Sequence, residues 1–383
     1  MTSTLPRLAR VPAVWILILA ILATVFYIGA RRRRDFVDFM VYQQAAVRAV
    51  HAESLYRAED GHYQFKYWPA FALAMAPFAP IDPEVAKVLW YAISVVLLVV
   101  FVRQSIRLLP DRHLPVRALV WITAIMTLKF VVKELVNGQT NVLLGVLLLA
   151  ALAAERRGKP VVAGAAIGAA IFVKPYALLV LPWMALTFGL EAFAAAAAVV
   201  IVGLLVPALA YGWQGNIDLL VAWFHTVSDT TPENLLLPEN ISLATMWAKW
   251  IGPGGAASSL AVATGVALLG LVAAVWIVRR RAPMPDYLEL ALIMLLIPLL
   301  SPQGWDYVLI LGTPAIVCVV DRWQLRNQGW KLLNATALFA TSLTVFDIVG
   351  RELYIKVTAW SIVTVGAIAL AISLAHLRWR RLA

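Results

Sequence analysis

Apolar runs recur along the whole of this 383-residue chain, and each is long enough, or nearly so, to cross the hydrocarbon of a bilayer. In lipid the backbone must satisfy its own hydrogen bonds, which leaves helices and closed barrels as the spanning structures. The runs lack the period-2 alternation of barrel strands. The chain is 62% hydrophobic and 14% charged, against about half and about a quarter in soluble domains. These features predict an all-α, polytopic membrane protein of about 12 transmembrane helices in one domain, residues 1–383. Spans are expected near 11–30, 84–102, 117–134, 139–154, 160–173, 176–190, 192–212, 258–278, 287–301, 304–320, 332–349 and 354–377. Gly164, Gly168 and the alanines of 194–198 offer smooth faces for close helix packing.

The net charge of +11 does not point to nucleic acid, because most Lys and Arg residues sit in short loops between apolar runs and no nucleic-acid module is present. The single cysteine, Cys318, lies inside an apolar run, which excludes a disulfide framework, and the five histidines are scattered, so no metal site is expected. The first run follows Arg7 and Arg10 and exceeds the ~7–15 residues of a signal core. It reads as an uncleaved anchor.

With the C-terminal "LRWRRLA" placed in the cytoplasm, the basic loops 103–116, 155–159, 279–286 and 321–331 fall on the same side. The opposite side receives "NGQTN", "KP" at 174–175, the 213–257 segment, "SPQGWD" and "GREL". That is the positive-inside pattern. The run 68–80, "WPAFALAMAPFAP", decides the remaining segment: its 13 residues and three prolines suit an interfacial or re-entrant helix better than a crossing. On that reading both termini are cytoplasmic. A first outer loop, 31–83, carries interfacial helices, and a second large outer loop covers 213–257. The "RRRR" run at 31–34 then rests against outer headgroups.

The motif-like pieces collect on that outer side. In "RRRRDFVDFMVYQQAA" a helix puts Asp38 and Tyr42 on one face, and a carboxylate beside aromatics just outside a membrane can act as a general base; two solvated acids on a surface helix are the plainer alternative. "KELVNGQTNVLL" breaks two apolar runs; Gln139 and Asn141 there can cap helices or bind a polyhydroxylated ligand. Lys174, in "IFVKPYALL", is a charge amid apolar sequence, either snorkelling or meeting a phosphate at the surface. "LLSPQGWDYVLIL" offers Trp305, Asp306 and Tyr307 at a helix break, or a short hairpin in an aromatic belt. "PENISLATMW" places Asn240 before an amphipathic stretch; its Asn-Ile-Ser is a glycosylation sequon of consequence only in a eukaryotic secretory lumen.

Taken together and in order, "DFMVYQQAA", "FKYWPAFALAMAPFAPI", "NGQTNVLLGVLLLAALAAERRGKPVVAGAAIGAAIFVKPYALLVLPW", "ENISL" and "LLSPQGWDYVLIL" resemble glycosyltransferase family 87 over nearly the whole chain. The GQTN…AG…G…KP run is the most specific part. The resemblance implies a helix bundle of the GT-C type and a hexosyl-, most specifically mannosyl-, transferase at the outer face of a bacterial inner membrane. It implies a polyprenyl-phosphate sugar as donor, a lipid or glycan as acceptor, inversion, and no cofactor. By motif match the catalytic carboxylate is Asp38 rather than Asp35. Lys174, then Lys66, would meet the phosphate. Tyr42, Gln139, Asn141, Asn240, Trp305, Asp306 and Tyr307 would serve donor or acceptor. Family members often carry His where this chain has Tyr307. Two other classes remain alternatives: a lipid or small-molecule transporter or flippase, disfavoured by the absence of a convincing repeat, and a non-catalytic assembly subunit that keeps the fold.

Overall fold

The computed structural model describes residues 36–381. The expected first span at 11–30, the arginine run and Asp35 lie outside the described residues. Among the described residues the chain is helical and has no strand; one isolated antiparallel bridge pairs Asn240 with Trp305. The helices are α1 (Val37–Val50), α2 (Pro69–Ala74), α3 (Pro83–Arg107), α4 (Val116–Asn137), α5 (Asn141–Glu155) and α6 (Pro160–Val173). After them come α7 (Leu181–Phe188), α8 (Leu190–Leu205), α9 (Ala208–Thr230), α10 (Leu243–Ile251), α11 (Gly255–Ile277) and α12 (Asp286–Leu300). The last are α13 (Thr313–Asp321), α14 (Gln328–Leu338), α15 (Phe346–Val349), α16 (Arg351–Ala359) and α17 (Ile362–Trp379).

Among the described residues, α3, α11 and α17 are each long and apolar enough to cross a membrane, and the bent pairs α4–α5 and α8–α9 pass the same test jointly. The protein is therefore a membrane protein built of apolar helices. Among the described residues these helices account for three to five spans of the expected count of about 12, and several of the apolar runs are broken. The 304–320 run opens with a tight helical turn at Asp306–Gly312 before α13. The 332–349 run widens into a π-turn at Phe339–Leu343 after α14. The 354–377 run breaks at Ser361, whose φ is 53°. The 192–212 run ends as a helix at Leu205, and α9 leaves at 88° to α8. Pro207 and Gly212, the latter at φ 70°, provide that corner. The 213–257 segment is mostly helical, made of α9 and α10.

α12 is the central pillar. Every residue from Tyr287 to Leu299 is buried; all are apolar except Glu289, which is paired with Arg378 and accepts from Trp183 Nε1 at 2.9 Å. Around it the expected small-residue contact is present. A Cβ on Gly164 of α6 would sit 2.0 Å from the Ala192 carbonyl of α8, and one on Gly168 would sit 2.8 Å from Val199 Cβ. A second, smaller core lies under the 36–91 region, where Phe36, Phe39, Tyr42, Phe65, Phe71 and Trp90 pack together with Leu219 of α9. Within it the 68–80 segment forms only the six-residue α2 and a short turn at Ala76–Phe78. At ~1.5 Å per residue α2 is far too short to cross.

The two ends of the bundle differ in chemistry. At one end arginines knit the basic loops together. Arg156 pairs with Asp286 at 2.6 Å and donates to the Leu108 carbonyl at 2.7 Å. Arg322 bonds Asp321 and the carbonyls of Pro110 and Asp111, while Asp321 accepts from the His113 and Leu114 amides. Arg378 reaches Glu289 and the Pro285 carbonyl. The motif-like segments gather elsewhere, around a polar cavity.

Candidate active site

The cavity is organised by the corner between α4 and α5, which are bent by 116° across Gly138. Gly138 is required twice over. Its φ is +68°, and a Cβ there would lie 2.7 Å from Phe39 Cβ and 2.9 Å from Phe36 Cδ1. That close approach lets α1 dock on the corner. The Phe36 amide donates to the Val136 carbonyl at 2.7 Å, Phe39 stacks on Trp90 at 5.3 Å, and Trp90 Nε1 donates to the Gly138 carbonyl at 2.8 Å. Gln43 secures the next turn of α1 by donating to the carbonyls of Phe78 and Ile81. Asp38, on the first turn of α1, is thereby set beside Gln139, the first residue after the glycine.

Gln139 joins the groups around it. Its Oε1 accepts from Lys174 Nζ at 3.1 Å and from the Tyr42 hydroxyl at 3.4 Å. An ammonium can only donate, so Lys174 fixes which end of the amide faces it. Nε2 is left to donate to the Tyr307 hydroxyl at 3.2 Å, and the amide lies beside the Asp38 carboxylate, whose proton affinity it lowers. Tyr42 and Tyr67 share a hydrogen bond of 2.7 Å. Lys174 lies near the rings of Tyr67 and Tyr176, at 5.8 and 5.9 Å from their centroids.

These side chains line a cavity of about 420 Å³. Asp38, Tyr42, Lys66, Gln139, Lys174, Trp305 and Tyr307 all face it, so seven of the ten residues singled out in the sequence come together. The other three do not. Asn141 donates from Nδ2 to Glu134 at 2.7 Å, and the same carboxylate caps α5 through the Val142 amide. Asn240 donates to the carbonyls of Asn234 and Pro302 and accepts from the Ser242 amide. Its loop is fastened to the Trp305 strand-like turn by the Ile241 amide to Gly304 carbonyl and the Asp306 amide to Glu239 carbonyl bonds. Asp306 is buried behind the cavity wall, clamped by Lys133 at 2.8 Å and Lys129 at 3.4 Å.

The cavity also has members outside those ten: His62, Tyr63, Gln64, Tyr67, Lys133, Asn137, Tyr176, Glu239 and Gln303, of which Lys133, Asn137, Tyr176, Glu239 and Gln303 lie in the same quoted segments. Lys133 had a readable signal, since Lys129 and Lys133 are charges one turn apart in an apolar helix, with Glu134 next to the second. The aromatic members had none beyond their neighbours.

The electrostatics favour a negatively charged ligand beside a basic carboxylate. Lys66, Lys133 and Lys174 are set against Asp38 and Glu239. Burial raises the Asp38 carboxyl above its ordinary value, with the Gln139 hydrogen bond and the fields of Lys174, His62 and Lys66 opposing it. Burial lowers the Lys66 ammonium, opposed by Glu233 and Asp38. Among the described residues no cluster of three His, Cys, Asp or Glu side chains could hold a metal ion.

An all-helical membrane protein with a half-buried carboxylate in a lysine-lined cavity is equipped to take a proton next to a departing or bound anion. The family model for glycosyltransferase family 87 matches residues 65–302, and the chain belongs to that family. It is therefore a membrane glycosyltransferase. No curated protein matches the chain. The family match starts after α1 and stops before Trp305. Asp38, Tyr42, Trp305 and Tyr307 thus join the site by geometry, while Lys66, Gln139 and Lys174 lie within the matched region.

Asp38 should behave as a functional rather than a stabilising group. A carboxyl whose folded value is raised binds its proton more tightly folded than unfolded. Its contribution to stability therefore falls as pH rises from the unfolded value through the folded one. At neutral pH the ionised form is a liability. Asp38→Asn is expected to unfold at the same temperature as the wild type or higher in detergent at pH 7; a fall of several degrees would make Asp38 a structural residue.

Proposed function

We propose that the protein transfers a hexosyl unit, mannosyl as the first choice, from a polyprenyl-phosphate donor to a lipid or glycan acceptor, with inversion and with Asp38 as general base. The observation that carries this reading is the raised, half-buried Asp38 carboxylate held by Gln139 inside a cavity with three lysines. As the acceptor oxygen attacks the anomeric carbon, its proton passes to Asp38. The bond from that carbon to the phosphate oxygen breaks, and polyprenyl phosphate leaves with the electron pair. The developing phosphate charge is met by the ammonium groups of Lys66, Lys174 and Lys133. An activated phosphate leaving group needs little acid assistance, so one carboxylate suffices.

A lipid-linked donor is supported by a second feature. An apolar groove of about 450 Å³ runs between the 178–186 segment, α11 and α12, lined by Leu178, Leu179, Trp183, Trp276, Leu296 and Leu300 among others. It is continuous in sequence with the cavity wall, since Pro175, Tyr176 and Gln303 line the cavity while Leu178, Leu179 and Leu300 line the groove. A tail lying there would run toward the Pro175–Tyr176 turn that borders the cavity.

The reading is tested by supplying the purified protein with polyprenyl-phosphate-mannose and a membrane lipid extract and analysing the products. A mannosylated product is expected. Asp38→Asn should slow its formation by ~10²–10⁴-fold, the usual cost of a lost general base. Donor binding should persist, because the base acts on the acceptor. Asp35→Asn should be mild. Full activity in Asp38→Asn would remove the mechanism, and the reverse ranking would put the base at Asp35.

The orientation belongs to the same reading: cavity outside the bacterial inner membrane, both termini in the cytoplasm. Its support is that the basic loops assigned to the cytoplasm by charge are joined to one another through Arg156, Arg322 and Arg378, apart from the cavity segments. Cysteines at exposed Glu59 and Arg157 separate the two orientations, with the native Cys318 buried. In whole cells a membrane-impermeant thiol reagent should label Glu59→Cys and spare Arg157→Cys; the opposite pattern would invert the topology.

A further inference from the structure

The helix α9 has three faces, and each is of a different kind. At about 100° per residue from Trp213, Asn216, Leu219, Trp223 and Thr230 fall together in a sector of roughly 240–300°. Asn216, Leu219 and Thr230 are buried and Trp223 is half-buried. Trp213, Phe224, Ile217 and Val221 fall in the sector of roughly 0–80°, and all four are exposed, at 66%, 62%, 39% and 50%. Gln214, His225, Asp218 and Asp229 occupy roughly 100–160° and are exposed as well. One face meets protein, one is apolar and uncovered, and one is polar.

The first face is tied to the cavity wall. Trp223 stacks on Trp68 at 3.8 Å and donates from Nε1 to the Lys66 carbonyl at 3.1 Å. Asn216 donates to the Leu204 carbonyl at the end of α8. The helix stands at 88° to α8, which is apolar after Glu191 in its first turn and packs along α6. A helix at that angle runs across the membrane rather than through it. Were it to span instead, Gln214, Asp218, His225 and Asp229 would face hydrocarbon on an exposed side, where ionisable groups are strongly disfavoured.

We propose that α9 lies in the plane of the bilayer surface at the cavity end of the protein, with its Trp213–Phe224 face sunk into lipid and its Gln214–Asp229 face in water. The partner is the bilayer itself. A helix half in lipid has this composition: bulky apolar and aromatic residues on one side, with tryptophan at the headgroup level, and polar residues on the other. The placement fixes the depth of the cavity, because Lys66 and Trp68 hang from the inner face of a helix held at the membrane surface. It does not depend on which sugar donor the protein uses, nor on which side of the membrane the cavity opens.

The test uses single nitroxide labels on the full-length protein in vesicles, in a Cys318→Ala background. The labels replace Ile217 and Phe224 on the apolar face, and Asp218 and His225 on the polar face. All four are exposed, so a label displaces no packed side chain. Collisions with oxygen, which concentrates in lipid, should dominate at Ile217→Cys and Phe224→Cys. Collisions with a water-soluble nickel chelate should dominate at Asp218→Cys and His225→Cys. Nickel preference at all four would place the helix in water. Oxygen preference at all four would make it a span, and exclusion of both reagents from Ile217→Cys and Phe224→Cys would mean a second protein surface covers it. Each of those three outcomes overturns the proposal.

Discussion

The site depends on one amide. Gln139 bonds Lys174, Tyr42 and Tyr307 and lies beside Asp38, and its orientation is dictated by the ammonium on one side. That arrangement needs Gly138 beside it, because the left-handed corner and the missing Cβ let Phe36 and Phe39 of α1 come close enough to carry Asp38 in. Desolvation of the carboxylate, which makes it a stronger base than a surface aspartate, follows from the same docking. The chemistry proposed for the cavity is thus a consequence of how a short surface helix is seated on a helix corner.

The second organising contrast is between the two ends of the bundle. Arginines at one end are spent on loop carbonyls and carboxylates, for example Arg322 on Pro110 and Asp111. Lysines at the other end are directed at a cavity. The difference suits the side chains. A guanidinium's fixed fork can bridge several loop acceptors at once, whereas an ammonium is a compact charge that can be presented to a ligand. The buried Lys129–Asp306–Lys133 cluster lies between these uses: it closes the wall behind Trp305 and still brings Lys133 to the cavity.

Much of this was legible in the sequence. Apolar runs gave the helical membrane class, and helix-breaking pieces such as "NGQT" and "VKPY" marked segments that line the cavity. The corners inside apolar runs were less legible. Pro207 and Gly212 mark a helix break in 192–212, but Val206, Ala208 and Leu209 keep the run apolar across it and give no angle. The break at Ser361 had a partial signal, since Lys356 and Thr358 make the stretch before it far less apolar than α17. For two of the amides the structure favours the local role, capping or holding backbone, over a ligand contact. Asn141 and Asn240 bind Glu134 and backbone carbonyls, because a side-chain amide near a helix start or a tight turn finds a local partner first. Lys133 was under-read, since a charge at the end of an apolar helix resembles a snorkelling residue until its partner Asp306, far along the chain, is known.

The pH dependence of sugar transfer tests the central claim most directly, because it reads the protonation state of the reacting carboxylate in the intact protein. Burial places the Asp38 carboxyl above its ordinary value of 3.8. As pH falls the base is consumed by protonation, so the rate at low acceptor concentration should decline along a single-proton limb centred above that value. A rate that stays level down to pH 4 would contradict an account in which Asp38 takes the acceptor's proton.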